Sequence, residues 1–405
     1  MTKPVTKVFI EFNTELLPAY AFTLDAFDNG KLDNTFARLG GLTLVEITSY
    51  LQQIDIERGK TRVLDRFDAG LMNIQFNNST RVFDPQYSLS PLYGAIIPRL
   101  NIQVTADDAL VYTGVILDWN IEYDVGGNSI ATAVCSDKFT LLTQNLLDEY
   151  YNDVQLSGAR ITEILARPEV DWSADLQDID AGLTTVQGEL IPPNTDALSY
   201  FQLIETTEQG ALFIAKNGKL TFRQRNTTPT LSTSFSNDGA EISYTGIGVV
   251  YGSELLYNRI EVTPLDYDTQ TVDDTLSQEA YGLSVLAVST LHEYDADAAN
   301  AALVLAFQFS QPEYRFETLE VDLGSLSSLQ QVELLGLELN DLVIVSFTPS
   351  GIPPAIDLAA KIVGISHVID ETQHFLTFNL GSTAGISFVL DSTLLGVLDV
   401  DTLSY

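Results

Sequence analysis

The sequence predicts a mainly β protein with a smaller α+β part, in which two β-barrel-like domains flank a middle α+β insertion. Apolar residues in most of the 405-residue chain recur with a period of two, in short runs broken by Gly, Asn, Asp and Pro. The predicted helices are few, and the two strand groups share an order. We therefore expect an N-terminal β domain, a middle domain, a second β domain and a C-terminal extension, at residues 1–140, 141–235, 236–385 and 386–405.

Four strands and a tight turn define the first β domain. Gly126 and Gly127 lie between the last two strands and tolerate the positive φ angles that hairpin turns need. The alternation of apolar and polar residues predicts the strands Leu71–Asn77, Leu100–Thr105, Leu110–Glu122 and Asn128–Ser136.

The second β domain repeats this order. In each group, a long strand that contains a glycine precedes a tight turn and a closing strand. The parallel lies in pattern and not in residue identity, which leaves open whether the two groups are a true duplication. The predicted strands of the second group are Arg315–Leu323, Asp341–Phe347, Ala360–Ile369 and His374–Leu380.

Three helices are predicted beside the strand groups. Pro168 ends the first and Pro312 ends the third, because proline cannot continue a helix. The second has Asp196 as its N-cap and Gly210 as its C-terminal glycine. The predicted helices are Ala159–Arg167, Ala197–Gln209 and an Ala-rich segment near residues 295–310.

The charge of the chain excludes one class of function. Lys and Arg total 20 against 55 Asp and Glu, a net charge of −35, and residues 226–405 alone carry −22 from 3 basic and 25 acidic side chains. A protein holds a DNA duplex by neutralising phosphates with clustered Lys and Arg. We therefore expect that DNA is not bound, and that the acidity serves either solubility or a repulsive surface.

A membrane span and disulfide chemistry are also not expected. No apolar run approaches the roughly 20 residues that a membrane helix needs. Met1–Pro18 lacks the apolar core of a signal peptide, which favours a protein made in the cytoplasm. Cys135 is the only cysteine, so neither an intramolecular disulfide nor a cysteine zinc site can form, and we expect a buried, inert thiol.

No catalytic or metal-binding pattern stands out. His292, His367 and His374 are the only histidines, and none has the spacing or the further ligands of a metal site. The acidic segment 266–277 matches a calcium loop only at its first two acids. We therefore expect no enzyme activity, no cofactor and no metal ion.

One basic segment runs against the acidic trend, because Arg58, Lys60, Arg62 and Arg66 place four bases within nine residues. They could contact an acidic partner, such as residues 226–405 of another copy. We favour this for the arginines, since a forked guanidinium suits a carboxylate, and local pairing for Lys60. The local ion pairs would be with Glu57, Asp65 and Asp68.

Several segments, taken in chain order, resemble the minor tail proteins of long-tailed (siphovirus-like) bacteriophages. Tyr112-Thr-Gly is similar to the family's Phe-Thr-Gly strand, and Phe213–Arg223 to its dGrltF hairpin. The segments that carry the resemblance are Arg58–Gly70, Asn77–Pro85, Ser90–Tyr93, Tyr112–Val115, Cys135–Leu142, Phe213–Arg223, Tyr257–Val262, Pro312–Phe316 and Leu390–Asp399.

The resemblance implies a tail-hub-like fold and a structural role at the virion tail tip, after synthesis in the host cytoplasm. Such subunits form a ring, most commonly a homotrimer, that joins the tail tube to the host-recognition apparatus. The implied partners are other tail-tip, tail-tube and tape-measure proteins, and DNA passes through the ring without being bound. Two similar β domains per copy would give three subunits six similar domains, which suits a tube built from rings of six.

The charge pattern and the resemblance together predict contacts between subunits. We expect Arg58, Arg62, Arg66 and Arg81 to contact a neighbouring copy. The extension 386–405 is too short to form its own core and is expected to dock on a partner as a strand or an arm. Its apolar candidates for that contact are Phe388, Leu390, Leu395 and Leu398.

Two other functions stay open from the sequence. A carbohydrate-binding or depolymerising β-protein that contacts the host envelope would want exposed aromatic residues, yet Trp119 and Trp172 lie in apolar-rich stretches. Asp171 and Asp175 beside Trp172 suit a sugar-hydrolysing cleft, but such neighbours arise easily among 55 acidic residues. A generic secreted β-protein is disfavoured because a signal peptide and disulfides are missing.

Overall fold

The computed structural model describes residues 2–13, 17, 41–227 and 231–382. This part of the chain contains 25 strands and six α-helices. The strands before the first helix are β1 (Thr6–Asn13), β2 (Leu42–Glu46), β3 (Leu51–Gly59), β4 (Asp68–Asn77), β5 (Asn101–Ala106), β6 (Ala109–Tyr123) and β7 (Ser129–Ser136).

The middle part has three helices and several short strands. The helices are α1 (Phe139–Gln144), α2 (Ser157–Leu165) and α3 (Ala197–Glu208). The strands are β8 (Leu146–Leu147), β9 (Tyr150–Asn152), β10 (Gln155–Leu156), β11 (Gln177–Ile179), β12 (Thr185–Val186), β13 (Glu189–Ile191), β14 (Thr195–Asp196), β15 (Ala211–Ile214) and β16 (Leu220–Arg223).

The rest of the described chain returns to longer strands. The strands are β17 (Leu231–Ser236), β18 (Gly246–Tyr251), β19 (Arg259–Pro264), β20 (Gln270–Asp273), β21 (Val285–Thr290), β22 (Tyr314–Asp322), β23 (Leu342–Phe347), β24 (Ile356–Ile369) and β25 (His374–Ser382). The helices are α4 (Thr275–Tyr281), α5 (Asp295–Phe309) and α6 (Ser328–Gly336). No helix in the described residues is long and apolar enough to span a membrane.

The two strand groups have the same pairing order. The first runs β3-β4-β7-β6-β5-β1, with β2 beyond β1, and the second runs β18-β22-β25-β24-β23-β17. One direction differs: β1 is antiparallel to β5, whereas β17 is parallel to β23. The shared order predicted from the four strands of each group, β4 to β7 and β22 to β25, is therefore found in the structure.

A bulge lies at equivalent places in the two long strands. Leu117 is the extra residue of β6 against β7, and Val363 is the extra residue of β24 against β25. A bulge inserts one residue and bends its strand, so two bulges at matching positions give the two strands similar shapes.

The residue before each bulge is held in the same way. Arg99 and Asn340 both have positive φ angles, 67° and 72°. Arg99 N donates to Ile116 O at 2.6 Å, and Asn340 N donates to Ile362 O at 2.7 Å. The two groups therefore share local backbone geometry as well as strand order, although their sequences differ.

Strand β24 joins the two groups into one sheet. Its residues 356–361 pair with β23, and its residues 364–369 pair antiparallel with β3. The result is a 13-stranded sheet, and the described pairings close neither group into a barrel. The two strand groups thus belong to one shared sheet, because β24 is long enough to pair with two strands along one edge. The layout of two barrel-like domains stays a prediction.

Helix α3 begins as predicted and ends differently. Asp196 Oδ1 accepts a hydrogen bond from Ser199 N at 2.9 Å, which is an N-cap. The left-handed residue at its end is Gln209, with a φ of 56°, and not Gly210. Gly210 is needed for another reason, since a Cβ there would lie 2.3 Å from the carbonyl oxygen of Arg223.

An insertion between β18 and β22 has its own small core. Strands β20-β19-β21 form a three-stranded sheet, on which the Ala-rich helix α5 packs. The sequence predicts α5 but not this sheet, and of the other helices α1, α4 and α6 are not predicted either. The core residues of the insertion are Ile260, Val262, Ala298, Ala302 and Ala306.

Candidate functional site

The junction of β3 with β24 brings the two strand groups into close contact. Gly59 lies opposite Gly364, and its φ is 90°. A Cβ on Gly59 would lie 2.3 Å from the carbonyl oxygen of Val363, and a Cβ on Gly364 would lie 2.6 Å from that of Lys60. The close approach of the two strands therefore requires glycine on both sides.

Arg58 fixes this junction with charge. Its guanidinium is buried, and its Nη2 donates to Glu338 Oε1 at 2.6 Å and to the carbonyl oxygen of Ile214 at 3.1 Å. The Glu338 carboxylate also accepts from Lys216 N at 2.8 Å and Leu339 N at 2.9 Å. A buried charge is tolerated when its remaining hydrogen bonds are satisfied, as they are here for Glu338.

Lys216 ties the middle part to the same point. It lies in the turn of the β15–β16 hairpin, and its Nζ donates to three carbonyl oxygens at the end of α6. A cation is favourable at a helix C-terminus, where the carbonyl groups are unpaired. Burial lowers the pKa of Lys216, while Glu338 acts in the opposite direction. The carbonyls belong to Leu335, Gly336 and Leu337, at 2.7 to 3.0 Å.

A second buried acidic group, Glu205, lies on α3. Burial raises the pKa of Glu205 to about 7, although the positive charge of Lys60 opposes the shift. Glu205 Oε2 has no hydrogen-bond partner among the described residues. Burial lowers the pKa of Lys60, whose Nζ donates to Val63 O at 2.8 Å and lies 4.7 Å from the ring centroid of Phe67.

Two polar clefts flank the junction. One, of about 450 Å³, is lined by Lys216, Glu338 and Asp341 among others, and the other, of about 590 Å³, by Lys60, Arg66 and their neighbours. Within the described residues, no group of three or more His, Cys, Asp or Glu is able to hold a metal ion. In the smaller cleft, Lys216 and Glu338 hold the middle part and the second strand group together.

The four arginines predicted to contact a neighbouring copy lie in different environments. The Arg58 guanidinium is buried and bound to Glu338 and to the carbonyl of Ile214. Arg62 is exposed and pairs with Glu254 at 2.5 Å, and Arg81 pairs with Asp84 at 2.5 Å. Arg66 is exposed at the edge of the larger cleft.

The local ion pairs considered for this segment do not form as expected. Lys60 binds the carbonyl of Val63 instead of a carboxylate. Asp65 accepts from the backbone N of Arg62 at 3.1 Å and not from its guanidinium. The C-terminal candidates, Phe388, Leu390, Leu395 and Leu398 in the extension 386–405, lie outside the described residues.

The residues considered for other chemistry are engaged in packing. Trp119 stacks on Phe83 with ring centroids 5.6 Å apart, and Trp172 Nε1 donates to Leu176 O at 3.1 Å. Cys135 is buried as predicted, and burial raises the pKa of its thiol.

The histidines His367 and His374 face each other in the sheet. Nδ1 of the first lies 3.0 Å from Nε2 of the second, so they share one hydrogen bond. Burial lowers the pKa of His374 to about 4. Burial, together with the neighbouring His374, also holds the pKa of His367 well below its usual value.

The fold is similar to that of solved tail proteins. A tail protein from Neisseria meningitidis MC58 matches with a TM-score of 0.57 and 11% identity, over 84% of this chain and 93% of that one. A 43 kDa tail protein of prophage MuSo2 from Shewanella oneidensis matches with a TM-score of 0.54 and 15% identity, over 84% and 94%. No protein-family model matches the sequence, and no curated protein is significantly similar to it. The chain thus has a mainly β fold of the tail-protein type.

No sequence signal marks the partners of Arg58. Glu338 lies two residues after the end of α6, and Lys216 lies within the hairpin Phe213–Arg223, which resembles that of the tail proteins. A lysine in a tight turn is an ordinary surface residue by pattern alone. Its role at the end of α6 becomes visible only when the middle part docks on the second strand group.

Proposed function

We propose that this chain is a structural subunit of a bacteriophage-type tail. The observation that carries the proposal is the fold, which corresponds to two tail proteins along nearly their whole length. The arrangement of charges supports it, because Arg58, Glu338 and Lys216 connect three parts of the chain. A subunit that bears mechanical load needs such connections.

More specifically, the chain acts as a tail hub at the tail tip. Copies form a ring, most commonly of three, that joins the tail tube to the host-recognition apparatus, with tail-tube, tape-measure and tip proteins as partners. The repeated strand order supports this, because three copies of two similar sheet regions present six similar elements to a sixfold tube.

The acidity of residues 226–405 fits the passage of DNA. The net charge of −22 repels phosphates wherever it lines the path, so the genome slides through without binding. Only charges within about 8 Å of the path act at physiological salt. The alternative of a carbohydrate-binding protein finds less support, since Trp119 and Trp172 are partly buried and pack against the core.

Electron microscopy tests the proposal. Negative-stain images of the purified full chain should show closed rings, and gold-labelled antibodies against the chain should bind tailed particles at the tip. Labelling along the whole tube, or no labelling of particles that contain the tail, would contradict a hub. A glycan-array screen tests the alternative on the same preparation.

A further inference from the structure

We propose that copies of this chain join through β18 of one copy and the second half of β6 of the next, in a repeat of the internal junction between β3 and β24. The inference deepens the proposed ring and rests on it. The occupant of each open edge is therefore a second copy of this chain.

The equivalence of the two strand groups defines the first edge. With the bulges at Leu117 and Val363 aligned, residues 118–123 of β6 correspond to residues 364–369 of β24. Residues 364–369 pair with β25 on one side and β3 on the other. Residues 118–123 pair with β7 on one side, and no described strand pairs with their other side.

The second edge follows from the same alignment. Strand β18 holds the place of β3, since each is the end strand next to β22 or β4 in the shared order. β3 pairs with β24 on its far side, whereas no described strand pairs with the far side of β18. Each copy thus contains one such junction, between β3 and β24, and has two further edges, on β6 and β18, that could form an equivalent junction with other copies.

The pairing registers give a residue-level match. Ile54 lies opposite Ile74, and Ile247 lies opposite Leu319. Ile74 and Leu319 are equivalent positions, because each pairs across β7 or β25 with the residue two positions beyond its bulge. Ile247 therefore corresponds to Ile54, and five residues further on, Gly252 corresponds to Gly59. A glycine thus occupies the equivalent position, one residue beyond the end of β18, although without the positive φ of Gly59.

Gly252 has space that Gly59 lacks. A Cβ on Gly252 would meet nothing closer than 3.9 Å, whereas one on Gly59 would meet Val363 O at 2.3 Å. This is the difference expected between a junction strand with its partner and one without it.

Burial shows the same contrast. In the internal junction, Ile54, Ile56 and Ile369 are 0%, 1% and 0% exposed. At the open edges, Ile247, which corresponds to Ile54, is only half buried, and Tyr123, which corresponds to Ile369, is 56% exposed. An antiparallel partner would cover these apolar groups and supply backbone hydrogen bonds to both edges.

The internal register predicts which residues meet. Ile369 lies opposite Ile54, so Tyr123 of one copy should lie opposite Ile247 of the next, and Asn120 opposite Val250. Residues directly opposite in an antiparallel pair have Cα atoms about 4.5–5.5 Å apart, which a disulfide can span.

A cysteine pair tests the interface in the full chain. The variant Asn120→Cys with Val250→Cys is oxidised and run on a non-reducing gel, beside each single variant and a control pair, Asn120→Cys with Thr271→Cys on the inserted sheet. The oxidised test pair should migrate as cross-linked oligomers up to the size of the ring, and a reducing agent should convert these to monomers. The single variants and the control pair should migrate as monomers. Native mass spectrometry measures the ring independently.

A second variant probes the same edge without a cross-link. Compared at a concentration low enough to keep both proteins monomeric, Gly252→Val should unfold at the wild-type temperature, because the single chain has room for the side chain. At higher concentration, the variant should fail to form the ring. A closed oligomer whose 120–250 pair stays reduced, or that Gly252→Val leaves intact, overturns this interface and leaves the ring proposal standing. A chain that forms no closed oligomer overturns the ring proposal itself.

Discussion

Arg58 and Glu338 form a 2.6 Å ion pair across 280 residues of sequence. The pair joins β3, in the first strand group, to the segment after α6, in the second. Lys216 adds the middle part, because its backbone N donates to the same carboxylate. Within the basic segment that is unusual in the sequence, Arg58 therefore joins parts of the same subunit.

Removing one partner of this ion pair should destabilise the chain strongly. Glu338→Ala leaves the Arg58 guanidinium buried without its carboxylate, and breaking a buried pair costs about 3–5 kcal/mol of unfolding free energy. Urea unfolding measures the loss, with exposed Glu371→Ala as the control. Arg58→Met and the double variant complete a cycle, in which the double variant should recover part of the loss. Equal stabilities of Glu338→Ala and the control would contradict a stabilising role of the Arg58–Glu338 ion pair.

Alanine at Gly59 should cost more than alanine at Gly94. Both glycines have positive φ angles, 90° and 77°, so both variants strain the backbone by about 1–2 kcal/mol. A Cβ on Gly94 meets nothing within 4 Å, whereas one on Gly59 meets Val363 O at 2.3 Å. Thermal unfolding of the two variants therefore separates strain from the close approach of β3 to β24, and equal losses would show that strain alone matters.

The strands were predictable because alternation depends on residues two apart. It gave β4 to β7 and β22 to β25 within a few residues, and also their shared order. The pairing of β3 with β24 has no such local signal, because every central strand shows the same alternation. Likewise, an arginine that is paired inside the chain and one that is exposed look alike in sequence, and only burial separates Arg58 from Arg66.

Glu205 should make stability fall as the pH rises. Burial raises its pKa from 4.5 to about 7 in the folded chain, so between these values the folded state holds a proton that the unfolded state has released. Stability is then lost from about pH 4.5 to 7 and is constant above. Glu205→Gln should gain relative to the wild type across this window, by about 3 kcal/mol at most. Unfolding curves at several pH values check this, with exposed Glu279→Gln as the control that should stay parallel to the wild type.

The histidine pair should act with the opposite sign. Burial lowers the pKa of His374 from 6.5 to about 4, so the unfolded chain binds a proton in this window and the folded chain does not. This contribution is full above pH 6.5 and is lost as the pH falls toward 4. Between pH 7.5 and 5, the unfolding free energy of His374→Asn should fall less than that of the wild type. This difference in slope is expected whether or not the substitution changes the stability at pH 7.5. His292→Asn, in another element, should act independently, and an unchanged slope in both variants would contradict the shifts.

Charge reversal at Arg66 should separate the two interpretations of the basic segment. Arg66 is exposed, and no ion pair within 4 Å joins it to the described residues, but its charge acts on the buried carboxyl of Glu205. Below about pH 7, where folded Glu205 holds its proton, Arg66→Glu should therefore change the unfolding free energy by no more than about 0.5 kcal/mol. If it faces the acidic part of a neighbouring copy, the same variant should weaken the ring, and more so at low salt, because screening is then weaker. Arg99→Glu, at another exposed arginine, is the matched control. Mass photometry at several salt concentrations measures ring formation by both variants. A ring equally stable in both would place Arg66 on the free surface and leave the backbone edges of β6 and β18 to hold the copies together.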